Sequence, residues 1–482
     1  MVNSIKNNQF TYESEKLGMM YFRVAIILLG AQLLMGLIAA VQFIYPSFLF
    51  EIFDFSVARM VHINALVVWM LYGMVGATYL LMPSETGIET VGVGIGKLLF
   101  WVLTAAVTLV VLVYIFIQVG AGTEESIWLI HEGREYIEAP RWADIGIVVV
   151  VVGFIISVYA TAIKGKRTGI MTVMMANLLA LGGLYVTGMY YTDNISVDQF
   201  WWWWVIHLWV EATWEVYVAT VAAWALIQII GAKRQIVEMW LWIEVLMLFG
   251  SGVLGMGHHY FWIGTPEYWW EIGALFSALE PVPLVAMFVH VLYDWGKEQG
   301  IAKAEGKKGS VTTNGPAMAW IVMNAFGNFL GAGVWGFFHT LPQVNIYTHG
   351  TQFTAAHGHL AFFGAYATIL TGMMYFGLQG AYGIKEMKAT FKSKMALFLI
   401  GFGVMGMTVA LTIAGYEQVL VERAELGATW NAFFVAQELP WMLQAMTWRL
   451  IMGVVTFVGF VYLVWDLLTI GAIAKKKEQA ES

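Results

Sequence analysis

The sequence contains no cysteine. Disulfides, iron–sulfur ligation, thiolate zinc sites and covalent haem on a C-x-x-C-H motif are therefore excluded, and any electron carrier of those kinds must sit on another chain. Charge is also scarce: Asp, Glu, Lys and Arg make up 12% of the 482 residues, against about 25% in a soluble domain. The 25 Lys and Arg fall in short clusters and the formal charge is −7, so no basic stripe is available and nucleic acid is excluded as a partner. In place of charge the chain is 60% apolar, with 23 Trp, 30 Phe and 50 Gly. These are the interfacial ring anchors and small packing residues of membrane helices, and membrane lipid is the expected surrounding.

A spanning helix needs about 20 predominantly apolar residues. Twelve such runs are readable, roughly 20–45, 57–82, 95–119, 143–163, 169–190, 200–231, 236–260, 270–295, 315–338, 352–381, 393–415 and 439–474. The polar N-terminal stretch carries Lys6 and Lys16 and does not look like a cleavable signal. Basic residues follow the even-numbered runs: Lys164, Lys166 and Arg167, then Lys233 and Arg234, Lys303 to Lys308, Lys385 to Lys394, and Lys475 to Lys477. The positive-inside rule places those ends, and both termini, in the cytoplasm. The connections at the other face are poor in Lys and Arg, and one is acidic, with Glu124, Glu125, Glu132, Glu135 and Glu138. No long hydrophilic domain, low-complexity tract or repeat interrupts the chain, which reads as one all-α transmembrane domain over 1–482.

Ionisable residues at membrane depth are expensive and mark functional sites by default. On this topology His62 lies near the start of the second run, His207 near the start of the sixth, His258 and His259 at the end of the seventh, and His357 and His359 near the start of the tenth. A lone membrane histidine is as readily a packing residue as a ligand. Six at one depth, in the outer third, on four separate helices, form the layer that a metal or haem centre requires. His131, His290, His339 and His349 lack the pattern and read as loop, helix-end or supporting residues, with His339 and His349 within reach of haem propionates.

Spacing separates the roles. In His357-Gly358-His359 the two rings lie about 200° apart around a helix, so they face different partners, and Gly358 leaves room for a close approach. His207 and Glu211, four apart, share a face, and Glu215 continues it one turn inward. Gly252, Gly255 and Gly257 allow tight packing before His258-His259. Three imidazoles with a carboxylate suit iron better than copper. Glu280 falls at matching depth on the eighth run, where a neutral acid bonded to backbone is the plainer reading.

These residues, His62, His207, the His258-His259 pair and His357-Gly358-His359, resemble the haem–copper oxidase superfamily along essentially the whole twelve-helix core. The stretch His207-Leu-Trp-Val-Glu211-Ala-Thr-Trp-Glu215 is similar to its nitric oxide reductase branch, in the cytochrome c-dependent form, since no long N-terminal extension precedes the first run as in the quinol-dependent form. The resemblance implies His62 and His359 as axial ligands of a low-spin haem b and His357 as ligand of a high-spin haem b. It implies His207, His258, His259 and Glu211 around a non-haem iron, Glu215 and Glu280 shaping the pocket and its proton supply, and Glu135, in Arg134-Glu135-Tyr136, as a calcium ligand. It further implies a small membrane-anchored cytochrome c subunit, a soluble donor acting through it, a bacterial inner membrane, and an active site toward the periplasm where two NO become N2O and water.

Two alternatives remain open on the sequence. An oxygen-reducing terminal oxidase shares the six histidines and differs chiefly at Glu211; a transporter or channel would use the histidines as a proton relay. For proton supply the outer side is expected, because carboxylates are nearly absent from the cytoplasmic halves of the second, fourth, sixth and tenth runs. Glu244 is the exception, with Asp294 and Asp466 at or near inner ends.

Overall fold

The computed structural model describes residues 10–116, 124–134, 136–306, 312–423 and 435–481. Among them twelve helices are long and apolar enough to cross a membrane, and the chain is a multi-pass membrane protein. In chain order, helices one to six span Glu13–Gln42, Phe55–Thr86, Val93–Phe116, Arg141–Lys164, Gly169–Gly188 and Ile195–Ile230. Helices seven to twelve span Arg234–His259, Tyr268–Ala304, Gly315–Thr340, Gln352–Ala381, Phe391–Val421 and Pro440–Ala472. Helices two, six and ten form the centre, with 78%, 83% and 83% of their most apolar stretch buried, whereas helix three has 17% and faces outward.

Boundaries shift from the sequence expectation where polar side chains end the helices. Helix one begins seven residues early, at Glu13, because the Glu15 carboxylate accepts the Thr11 and Tyr12 N–H groups, both at 2.8 Å. Helix six begins at Ile195, ahead of its tryptophan run, because Asn194 Oδ1 caps the Ser196 and Val197 N–H groups at 3.1 Å. Helix eight, expected as one run, is broken after Ser277 and resumes at Pro281. Pro281 and Pro283 lack the N–H groups that would continue the ladder, which leaves Glu280 at the break.

Among the described residues the π-helical segments Trp209–Trp214, Phe329–Trp335 and Phe363–Ala367 interrupt helices six, nine and ten. Each widens the turn by one residue and frees backbone carbonyls, and a side chain takes one up in every case. Asn177 Nδ2 donates to Thr213 O at 2.9 Å, His357 Nδ1 to Gly331 O at 3.1 Å, and Asn324 Nδ2 to Gly364 O at 2.7 Å and Ala365 O at 2.8 Å.

The end of the bundle that carries the basic clusters is clasped by Arg234, whose Nη2 and Nη1 reach the buried Glu85 carboxylate at 2.7 and 3.0 Å. Thr168 donates to the same carboxylate at 2.7 Å, joining helices two, five and seven. At the opposite end Arg134 and Arg141 are laced to the connection between helices five and six. Arg134 pairs with Asp198, donates to Gly188 O and Tyr190 O at 3.1 and 2.9 Å, and stacks on Tyr191 at 3.7 Å.

Candidate metal and haem centres

His207 on helix six, Glu211 one turn on, and His258 and His259 at the end of helix seven each offer a donor atom, all within 4.8 Å of one another. His207 Nε2 lies 3.0 Å from Glu211 Oε2, and the Nε2 atoms of His258 and His259 each lie 3.8 Å from Glu211 Oε1. Glu211 belongs to the π segment, and the two histidines of helix seven stand on a 3-10 turn, Gly255–His259. That turn exists because its glycines press against the first part of helix eight. A Cβ on Gly257 would stand 1.8 Å from Trp269 O, and one on Gly273 2.7 Å from Gly257 N.

The far nitrogen of His207, Nδ1, donates to Gly252 O at 3.1 Å, which fixes the tautomer and leaves Nε2 bare toward Glu211. His207 Nε2 is buried, with the Glu211 carboxylate 3.0 Å away. Three imidazoles and a carboxylate converging on one point fit a transition-metal ion, and the hard oxygen favours iron. His259 is held flat against Trp203, centroids 4.4 Å apart and planes 6° apart. The sequence reading missed Trp203, although it lies one turn before His207 on the same helix.

His62 and His359 face each other across helices two and ten with ring centroids 6.2 Å apart and planes 29° apart. Two metal–nitrogen bonds of about 2 Å plus two half-ring widths span roughly this distance. Their Nδ1 atoms donate to Gln32 O and Ala355 O, both at 2.7 Å, so that each Nε2 is left as a candidate ligand atom. Gly36 makes room for His62: a Cβ there would meet the imidazole at 2.7 Å. Arg449 on helix twelve interacts electrostatically with both rings and packs beside Phe43, 5.0 Å from the ring centre. No sequence pattern pointed to it.

His357 turns the other way, toward helix nine, where its Nδ1 donates to Gly331 O and the His339 ring lies 4.8 Å off. A Cβ on Gly358 would meet no protein atom within 4 Å. His339 bonds Asn345 Oδ1 at 3.2 Å, and Asn345 Nδ2 donates to His258 O at 2.9 Å, tying the His357 surroundings to the helix-seven turn. His349, in the connection before helix ten, approaches His259 at 6.3 Å, and burial lowers its basicity.

Glu280 is buried and Glu215 half-buried, and they interact electrostatically with Glu211 and with each other. Glu280 Oε2 accepts from Ser277 Oγ at 3.2 Å while its Oε1 has no partner. Glu135 lies outside the described residues. Its neighbour Glu132 pairs with Arg141 and accepts from Tyr191 at 2.7 Å, and burial raises its carboxyl pKa against the pull of both.

The arrangement is that of a membrane redox enzyme built around imidazole-bound metals, and the chain belongs to the family described as cytochrome c and quinol oxidase polypeptide I, whose profile matches residues 16–472. Within that class it is similar to a nitric oxide reductase subunit of Stutzerimonas stutzeri, 38% identical over 464 residues that cover 94% of both chains. It is also similar, at 23% identity over 463 residues, to a cytochrome c oxidase subunit 1 homolog of Azorhizobium caulinodans, covering 91% of this chain and 78% of that one.

Proposed function

We propose that this chain, as a single catalytic domain, reduces nitric oxide: 2 NO + 2 e⁻ + 2 H⁺ → N2O + H2O. The observation that carries the reading is the convergent set His207, His258, His259 and Glu211, because the carboxylate separates it from an all-imidazole copper site. The 38% identical relative points the same way. In this proposal those four residues hold a non-haem iron, His357 holds a high-spin haem b, and His62 and His359 hold a low-spin haem b. When bound, the iron and high-spin haem supply two adjacent sites that bring the nitrogen atoms together and pass electrons to them.

The chain's own residues set the conditions. The carbonyls of Gly252, Gly331, Gln32 and Ala355 orient the rings of His207, His357, His62 and His359, and Glu211 adds negative charge beside His207, His258 and His259. Glu215 and Glu280 hold protons next to the centre. Arg449 offers its guanidinium to a haem carboxylate, and Glu135 serves a calcium ion near the propionates.

Since the chain has no cysteine, haem c belongs to a small membrane-anchored cytochrome c subunit, which relays electrons from a soluble donor. The basic end of the bundle faces the cytoplasm of a bacterial inner membrane, with the centre toward the periplasm. Metal analysis with an anaerobic NO assay tests this reading. About three irons per chain, no copper and NO-dependent N2O formation are expected. Two irons with one copper, and oxygen consumption, would instead establish an oxygen-reducing oxidase; a colourless protein without iron would overturn both.

A further inference from the structure

A file of oxidisable rings runs from the metal centre to a buried carboxylate at the acidic end of the bundle, and the chemistry proposed above does not use it. Trp209 and Trp214 are the first and last residues of the widened segment that carries Glu211, so two or three residues of backbone join each to that carboxylate. They are 5% and 2% exposed, and their rings meet edge to face with centroids 5.7 Å apart. The Trp214 ring also lies 6.4 Å from that of Tyr366 on helix ten, which interacts electrostatically with Glu215 and Glu211. In the other direction Trp209 lies 5.8 Å from the Tyr185 ring on helix five. Thr213 Oγ1 donates to Trp209 O at 2.7 Å and Asn177 Nδ2 to Thr213 O at 2.9 Å, which holds the segment bearing both indoles.

The file ends where a proton can be given up. Tyr185 Oη donates to Asp144 Oδ1 at 2.6 Å, and the Asp144 side chain is fully buried beside Glu132 and Arg141. An oxidised phenol is a strong acid, so a carboxylate already bonded to its hydroxyl takes the proton in place and leaves a neutral ring. The side branch lacks such a base. Tyr217 lies 6.2 Å from Trp214, but its hydroxyl meets the hydroxyl of Thr78 at 2.6 Å. Packing alone accounts for the rings; it does not account for a buried acid set against the hydroxyl of the last one.

We propose that Trp214, Trp209 and Tyr185 form a one-electron relay, which drains oxidising equivalents from the metal centre to the Tyr185–Asp144 pair when peroxide reaches the centre and no donor electron is at hand. Hydrogen peroxide takes two electrons and two protons and leaves as two waters. One electron comes from the haem iron and the other from Tyr185 through the two indoles. The Tyr185 hydroxyl proton moves to Asp144, and the two protons for water enter from the medium. A later electron from the cytochrome c partner restores the phenol as Asp144 returns the proton. In a chain without cysteine, Trp and Tyr are the side chains that most readily yield single electrons. The inference rests on the metal assignment made in the proposed function.

The test mixes the oxidised complete complex with hydrogen peroxide, without NO or donor, freezes it within milliseconds and records EPR spectra, with tyrosine or tryptophan ring-deuterated in parallel samples. We expect a protein radical whose hyperfine splitting collapses on tyrosine deuteration. Tyr185→Phe should lose that signal and leave a tryptophan radical, with haem spectra, iron content and NO turnover unchanged. Trp209→Phe should lose most of the tyrosyl signal, Asp144→Asn should lower its yield, and peroxide should inactivate all three variants in fewer additions than the unmodified complex. Trp214→Phe breaks the relay at its other indole should Trp209→Phe not retain its haems. A tyrosyl radical undiminished in Tyr185→Phe would overturn the relay, as would one lost there but undiminished in Trp209→Phe. So would a haem- and iron-loaded complex that gives no protein radical, and the function stands after any of these results. An unmodified complex without haem or iron would overturn the function, and the inference with it.

Discussion

Glu211 distinguishes this centre, and its replacement is the most direct residue-scale test. Glu211→Ala leaves three imidazoles converging on no anion, so most non-haem iron should be lost, with NO turnover down by about a hundredfold or more and both haems kept. Glu280→Gln should keep its metals and lose rate, because the amide fills the same space beside Ser277 but carries no proton. His62→Ala or His359→Ala should remove the low-spin haem signal, and His357→Ala the high-spin one, as read in reduced-minus-oxidised spectra. A full low-spin spectrum in either of the first two would refute the pairing across helices two and ten. At this scale the convergence of His207, Glu211, His258 and His259 was legible in the sequence, because imidazoles at membrane depth are rare enough to stand out. The supports were not. Trp203, Asn345 and Arg449 are ordinary residues until the folded chain sets them against His259, His258 and the His62–His359 pair.

At the scale of elements, twelve helices were readable, because length and apolarity alone decide a span, while their ends and interruptions depended on contacts. Asn194 is a short polar residue before a tryptophan run; only its bonds to the N–H groups of Ser196 and Val197 show that helix six begins there. Asn194→Ala should cost about 1 kcal/mol in thermal or denaturant stability. The glycines divide more sharply. Gly257→Ala forces a methyl to within 1.8 Å of Trp269 O and Gly36→Ala one to 2.7 Å of the His62 ring. The first should displace the His258-His259 turn and lower iron content; the second should shift the low-spin haem spectrum, each costing about 1–3 kcal/mol or more. Gly358→Ala meets no protein atom, so the apoprotein should tolerate it. Any loss of haem in that variant would then report crowding of the cofactor itself.

For the whole molecule, the clasp of Glu85, Arg234 and Thr168 binds three helices far apart in sequence. Glu85 has no exposed side-chain surface. Arg234→Ala strands that buried carboxylate and should destabilise the assembly by about 3–5 kcal/mol, measured as a fall in the detergent melting temperature. Charge asymmetry told the two ends of the bundle apart in the sequence, but which helices occupy its centre did not follow from hydropathy. Helix three is more apolar than helices two, six and ten, yet lies outside them. The polar and small residues that reduce the hydropathy of the central helices are those that make contacts within the bundle.

The widened turn at Trp209–Trp214 sets a rule about length rather than identity. It holds one residue more than α-helical turns of the same span, so removing one residue from it would restore a regular helix and leave the half beyond it in phase: Tyr217 would keep Thr78, now 2.6 Å away, and Trp224 would keep Ser84, now 2.8 Å away. What the deletion removes is the widening that presents Glu211 to His207, His258 and His259. The same deletion a turn further on, in regular α-helix, would instead rotate everything beyond it by about 100°. Helix six thus works as a vernier: its halves share one phase, and the extra residue between them slides Glu211 toward the histidines.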